Sequence, residues 1–312
     1  MNKDARIYVA GHTGLVGSAV CKKLKEHGYG NLVHRTHGEL DLTRQTDVES
    51  FFFRERPEYV FLCAARVGGI LANSTRPAEF IYENLMIATN IIHASFQSGV
   101  KKLLNLGSSC IYPREAPQPL KEDYLLTGGL EPTNEAYAVA KIAAIKLCRY
   151  YHQQYGADFL SVMPANLYGP GDNFDLETSH VLPAFIRRFH EAKERRVPYV
   201  VLWGTGKPMR EFLYAEDLAD ACVYLMRSFH ADEIGEFVNI GTGVDLSIRE
   251  LAEMIAEITG YTGEIRWDST KPDGMMRKVL DTSRINGLGW SAKTDLRQGI
   301  EKTYAWYRIH GV

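Results

Sequence analysis

Three features that would announce a partner or a compartment are missing from this 312-residue chain. Charge of one sign is absent: 36 lysines and arginines stand against 38 aspartates and glutamates, so neither a nucleic-acid surface nor a basic membrane-binding stripe is expected. Cysteine is scarce and scattered. Cys21, Cys63, Cys110, Cys148 and Cys222 form no CxxC pair, which argues against a zinc site and fits reduced thiols better than a disulfide framework. No apolar run approaches the roughly 20 residues of a membrane-spanning helix. The leading MNKDAR passes directly into IYVAG, without the apolar core of a signal peptide. The expectation is a cytoplasmic globular protein that binds no metal, nucleic acid or membrane, and the chain carries no repeat or low-complexity tract to suggest otherwise.

What is present is a rhythm of short apolar runs and helical patterns. Residues 7–10, 31–35 and 59–64 read as strands, with helical spacing over 15–25 between the first two, the βαβαβ alternation of a parallel sheet. Helical patterns follow at 77–97 and 134–155, and strand-like runs at 102–107 and 159–163. The fold expected is α/β: a doubly wound parallel Rossmann sheet over residues 1–170, then a smaller α/β lobe over 171–312. Part of 211–243, helical near 216–227 and strand-like at 237–240, is expected to return to the first sheet.

The glycines Gly11, Gly14 and Gly17 directly follow the first strand and open the first helix, with His12, Thr13, Leu15 and Val16 between them. In that context glycines permit a tight turn and close backbone approach, and the helix N-terminus presents unpaired N–H groups to a pyrophosphate. About 20 residues on, where an NAD site shows an acid for the ribose hydroxyls, the chain reads Val33-His34-Arg35-Thr36-His37. Arg35 and His37 favour the 2′-phosphate of NADP, or are the basic end of a solvated strand. Asp41, beside Leu42, either meets an adenine amino group or caps the helix that begins near Thr43.

Tyr137 and Lys141 stand four apart in EAYAVAK, so on a helix they share one face. A cation beside a phenol stabilises phenolate and is expected to lower the tyrosine pKa toward the range of a useful proton carrier. Ser108, in the stretch Ser108-Ser109-Cys110, would hydrogen-bond the same carbonyl oxygen. Cys110 reads either as a small buried hydrophobe at a strand end or as a base whose thiolate is stabilised by a nearby cation. Taken singly, Arg187, Arg188, Arg195 and Arg196 read as an exposed helix face, and Trp203 as core.

With GxxGxxG, Ser108 and Tyr137xxxLys141 in place, the chain resembles the extended short-chain dehydrogenase/reductases that act on nucleotide sugars. AARVGGILANSTRPAEFIYEN, LGSSCIYP, MPANLYGPGDNF, WGTGKPMREFLYAEDLA and KPDGMMRKVLD narrow the resemblance to reductive epimerases of 4-keto GDP-sugars, and it spans essentially the whole chain. It implies NADPH as reductant, a GDP-sugar substrate and a homodimer paired through helices of the first domain. It implies inversion at C3 and C5 followed by reduction at C4; the alternative is a relative that inverts fewer centres or another nucleotide-sugar epimerase/reductase. Catalysis would rest on Ser108, Cys110, Tyr137, Lys141 and His180, with Cys110 and His180 as the paired proton carriers. Cofactor contacts would include Leu106, Gly107, Pro164, Asn166, Leu167 and His180, and substrate contacts Arg188, Trp203, Arg210, Asp273 and Lys278. One departure stands out: Thr13 and His37 occupy positions where this family often carries arginines for the 2′-phosphate.

Overall fold

A computed structural model describes residues 1–271 and 273–311, the side chains of residues 70 and 71 apart, so Pro272 of the KPDG turn lies outside the described residues. The first layer is a six-stranded parallel sheet in the order β2-β1-β3-β4-β5-β9. Its strands are β1 (Ile7–Ala10), β2 (Leu32–Val33), β3 (Tyr59–Leu62), β4 (Lys102–Leu106), β5 (Phe159–Pro164) and β9 (Val238–Ile240). β1, β4 and β5 are buried at every position, which is why they read as unbroken apolar runs: helices cover both faces of a parallel sheet. One face is sealed by residues such as Val20, Leu24, Leu218 and Val223, from α1 (Leu15–Glu26) and the helix Ala215–Ser228. The other is sealed by Phe51, Phe52, Ile91, Ile92 and Ala144, from α2 (Gln45–Glu55), α4 (Pro77–Gln97) and α5 (Glu135–Tyr155); α3 (Ile70–Thr75) leads into α4.

β2 is shorter than the run over 31–35 suggested. Only Leu32 and Val33 pair with β1, opposite Ile7 and Tyr8, because the next two residues turn away: the His34 ring stacks on His12, and Arg35 swings its guanidinium to Glu55 at 2.6 Å. From β1 the chain crosses to β2 on one side and then to β3 on the other. The strand order therefore reverses about β1, and the carboxyl ends of β1 and β3 frame the crevice in which an open α/β sheet binds its ligand.

After β5 the chain builds a second set of strands: β6 (Asn166–Tyr168), β7 (Tyr199–Trp203), β8 (Met209–Tyr214), β10 (Asp245–Ser247), β11 (Glu264–Asp268) and β12 (Arg277–Lys278). β8 is their hub, pairing with β6, β10 and β12, while β7 pairs with β11. Helix α6 (Val181–Glu194) contributes Leu182, Phe185, Ile186 and Phe189 to this lobe's own core. Between the two lobes' strands, β9 interleaves by pairing with β5.

Candidate active site

The turn after β1 is built for close approach. Gly11 holds φ +81°, and a Cβ there would lie 2.8 Å from the backbone of Ala64; a Cβ on Gly17 would sit 2.0 Å from the Gly11 carbonyl oxygen. Gly14 is less crowded, its nearest neighbour 3.5 Å away. It heads α1, whose N-terminus has no side-chain cap and no acid in its first turn. The unpaired N–H groups and the positive end of the helix dipole face outward from a cradle that fits a pyrophosphate. His12, Thr13, Leu15 and Val16 line or flank this turn.

Beyond β2 the predicted residues fare differently. Arg35 is committed to the protein: besides Glu55 its guanidinium donates to the His34 carbonyl at 2.6 Å and lies over the Phe51 ring. His37 is exposed. Asp41 accepts from the Thr43 amide at 2.9 Å and its hydroxyl at 2.7 Å, a turn that leads into α2, which begins at Gln45; these bonds hold its carboxyl below the ordinary range. The Leu42 carbonyl accepts from Asn90 at 2.9 Å.

The catalytic candidates converge where β4, α5 and the second lobe meet. Lys141, buried on α5, donates to the Leu106 carbonyl at 2.8 Å, and Gly107 lies so close under Met163 that a Cβ would reach 1.9 Å from its methyl. The Ser108 hydroxyl lies close enough to the Tyr137 phenol to oppose the rise in its pKa and accepts from the Cys110 amide at 3.3 Å. Cys110 is in a 3-10 turn, Ser109–Ile111, and is half-buried. The Phe80 ring stands edge-on to Tyr137, centroids 6.4 Å apart.

The expected downward shift of Tyr137 is reversed. Burial of the phenol raises its pKa above the ordinary 10, the nearby Cys110 adds to this, and the Ser108 hydrogen bond opposes it without prevailing. The Lys141 ammonium is 5.7 Å from the phenol ring centre and donates to the Leu106 carbonyl rather than to the phenol, so burial sets the direction. Lys141 carries the complementary change: burial lowers it to about 8, against the opposing pull of Cys63 and Cys110. Tyr137 is thus kept as a protonated donor at neutral pH.

His180 is the N-cap of α6, and the loop that carries it is pinned across the cleft: the Gly69 amide donates to the Thr178 carbonyl at 3.2 Å. The His180 side chain is exposed to solvent, yet desolvation by the protein around it lowers its pKa, and the Lys278 cation adds to that. Asn166 donates to the Glu211 carbonyl at 2.8 Å, and Pro164 and Leu167 lie beside it at the end of β5 and on β6.

Among the substrate candidates, Arg188 and Arg187 separate cleanly. Arg187 is taken by Glu191 at 2.8 Å, whereas Arg188 has no carboxylate partner among the described residues. Trp203 is 63% exposed, so it is a free flat face and not core, with the Lys271 ammonium 5.5 Å from its ring. Asp273 braces the turn after Trp203, accepting from the Thr205 amide at 2.7 Å and hydroxyl at 2.8 Å, and its charge acts on Arg210, whose pKa burial lowers. Lys278 reaches the reaction centre itself, 3.8 Å from the Cys110 sulfur. Two residues of this neighbourhood were not singled out from sequence: Asn134, 3.5 Å from the same sulfur, and Glu211, which is 1% exposed. Asn134 lies inside LEPTNEAYAVAK, three residues ahead of the tyrosine, but nothing local marks it. No group of histidine, cysteine or acidic side chains suited to a metal occurs among the described residues.

A phosphate-binding glycine turn on a doubly wound sheet, with Ser, Tyr and Lys gathered at the carboxyl ends of its strands, defines a nucleotide-dependent oxidoreductase or epimerase of the short-chain dehydrogenase type. The chain belongs to the NAD dependent epimerase/dehydratase family, whose model matches residues 7–241. It is 60% identical over 306 residues to GDP-L-fucose synthase 1 of Arabidopsis thaliana, covering 98% of this chain and 94% of that protein. It is 53% identical over 308 residues to GDP-L-fucose synthase of Escherichia coli, covering 97% and 96%. Its fold superposes on a GDP-mannoheptose C4 reductase from Campylobacter jejuni with NADP bound, at TM-score 0.92 and 42% identity over 99% of each chain.

Proposed function

We propose that this chain converts GDP-4-keto-6-deoxy-D-mannose to GDP-L-fucose, inverting C3 and C5 and reducing C4 with NADPH. The observation that supports the reading is a carbonyl anchor, Ser108 with Tyr137 and Lys141, beside Cys110, with His180 near the same Lys278 cation that touches the Cys110 sulfur; Cys110 and His180 are the two further proton carriers of this reading. A plain carbonyl reductase needs only the first set. The ketone at C4 makes the protons on C3 and C5 acidic, since the electron pair left behind spreads onto the C4 oxygen. Ser108 and Tyr137 hold that oxygen as charge grows on it. Cys110 takes the proton from carbon and His180 returns one to the opposite face. Bound at the glycine turn, NADPH supplies the hydride for C4. Tyr137 then gives its proton to the C4 oxygen, and Lys141 holds the nicotinamide ribose.

Gly11, Gly14 and Gly17 cradle the pyrophosphate, and Leu106, Gly107, Pro164, Asn166 and Leu167 line the nicotinamide half. Arg188, Arg210 and Lys278 meet the substrate diphosphate and Trp203 stacks on guanine, with the GDP-sugar on the lobe over 171–312. With Thr13 in the glycine loop and Arg35 bound to Glu55, discrimination for NADPH over NADH is present but modest. The protein pairs as a homodimer through α4 and α5, whose Tyr82, Val139, Tyr150 and Tyr155 are exposed. A cytoplasmic location suits five free thiols, and no described helix is long and apolar enough to cross a membrane. The test is NADPH absorbance during incubation with the 4-keto sugar: loss dependent on both protein and sugar is expected, and no loss would end the assignment.

A further inference from the structure

Asn134 is the N-cap of α5 and yet caps nothing: its side chain makes no bond to the helix's own amides. Asparagine at that position normally satisfies one of them, and forgoing the bond destabilises the helix start. Its Nδ2 instead points to the Cys110 sulfur at 3.5 Å, and its Oδ1 is buried with no partner. On the other side of the same sulfur stands the Lys278 ammonium at 3.8 Å, delivered by β12, which lies in register beside β8 with Lys278 opposite Arg210. The two donors come from different lobes, and both are donor groups at this sulfur. A neutral thiol has little use for two donors; an anionic sulfur accepts both.

We propose that Asn134 and Lys278 are positioning residues that hold Cys110 as a thiolate aimed at the substrate carbon. The proposal rests on the reading of Cys110 as the base of the two inversions. In that step a C–H bond breaks and an S–H bond forms, while the electron pair moves to the C4 oxygen held by Ser108 and Tyr137. Once sulfur is protonated its attraction to the ammonium falls, and His180 supplies the proton to the opposite face, so the step balances with no added reagent. The other titratable groups that the sulfur acts on are Tyr137 and Lys141, the first given to the C4 oxygen and the second to the nicotinamide ribose. Lys278 also ties the base to lobe placement: the cradle is complete only when β12 sits against the β4–α5 end of the first sheet.

The test measures alkylation of Cys110 by iodoacetamide at neutral pH in the full chain saturated with NADP, mapped by peptide mass so that the other four cysteines do not contribute. Lys278→Gln and Asn134→Ala are each expected to slow Cys110 modification by about tenfold, and Lys278→Arg to retain most of the rate. If Lys278→Gln alkylates at the wild-type rate and only raises KM for the GDP-sugar, Lys278 serves the diphosphate alone and the proposal is overturned. An unchanged rate in Asn134→Ala, with α5 intact by circular dichroism, overturns it equally. Should Asn134→Ala not fold, the Lys278 pair decides alone. Rapid alkylation in a wild-type protein that oxidises no NADPH with the 4-keto sugar would instead count against the enzymatic reading and leave the cradle standing.

Discussion

Replacing Glu211 with alanine should uncouple the two halves of the site. Its carboxylate sits within the protein and accepts from the Thr242 amide at 2.5 Å, the Gly243 amide at 2.8 Å and the Leu280 amide at 2.8 Å, with the Thr242 hydroxyl at 3.3 Å. Burial raises its pKa and these bonds resist the rise, so the group is costly in isolation and tolerable only because the donors converge on it. The packing admits nothing else, since a Cβ on Gly241 would lie 2.1 Å from its Oε1. Alanine leaves the buried Leu280 amide and the half-buried Thr242 amide without an acceptor, at roughly 1–3 kcal/mol each, while the exposed Gly243 amide can turn to water, so a loss on the order of 2–6 kcal/mol is expected. The donors belong to the loop after β9 and to the segment after β12, so the damage falls on the ties that fix Lys278. Urea denaturation followed by tryptophan fluorescence measures the loss, and NADPH titration of the same variant should show a first lobe that still binds. A loss below about 1 kcal/mol would refute the reasoning, because it would mean that water or a rearranged loop satisfies those amides.

Other perturbations test separate parts of the site. Lys141 is charged below about 8 and neutral above it, so kcat should fall as pH rises through that value; Lys141→Arg, which stays charged, should move the fall upward if any activity survives. Arg188→Ala should raise KM for the GDP-sugar by about tenfold or more and leave KM for NADPH alone, since it removes a free cation from the substrate side. Thr13→Arg should favour NADPH over NADH by about tenfold relative to the parent, measured as the ratio of kcat/KM values, by adding one charge-assisted bond to the 2′-phosphate; no change would place that phosphate elsewhere.

The sequence made the first sheet legible because buried parallel strands have to be apolar at every position, and α4 runs from Pro77 to Gln97 as its periodicity indicated. It also placed the glycine turn and the Tyr137–Lys141 pair, since those depend on spacing within one element. What it could not convey depended on distance. Cys110 and Lys278 are 168 positions apart, and only the pairing of β12 with β8 brings them together. The Tyr137 shift runs upward for a related reason: a neighbouring cation is visible in YxxxK, but the burial that raises the phenol's pKa comes from surrounding elements. Likewise Arg187 and Arg188 are indistinguishable in the chain and distinct in the fold, because Glu191 stands one turn along from Arg187 and neutralises it. β2 ends before the apolar run does because His34 and Arg35 have tertiary partners that draw them off the sheet edge.

The most direct measurement is the product formed from GDP-4-keto-6-deoxy-D-mannose and NADPH in deuterated water, identified by NMR. The account predicts GDP-L-fucose carrying deuterium at C3 and C5 and the hydride of NADPH at C4, with one NADPH consumed per sugar. A product reduced at C4 with either centre uninverted and unlabelled would contradict the pairing of Cys110 with His180 on which the account depends.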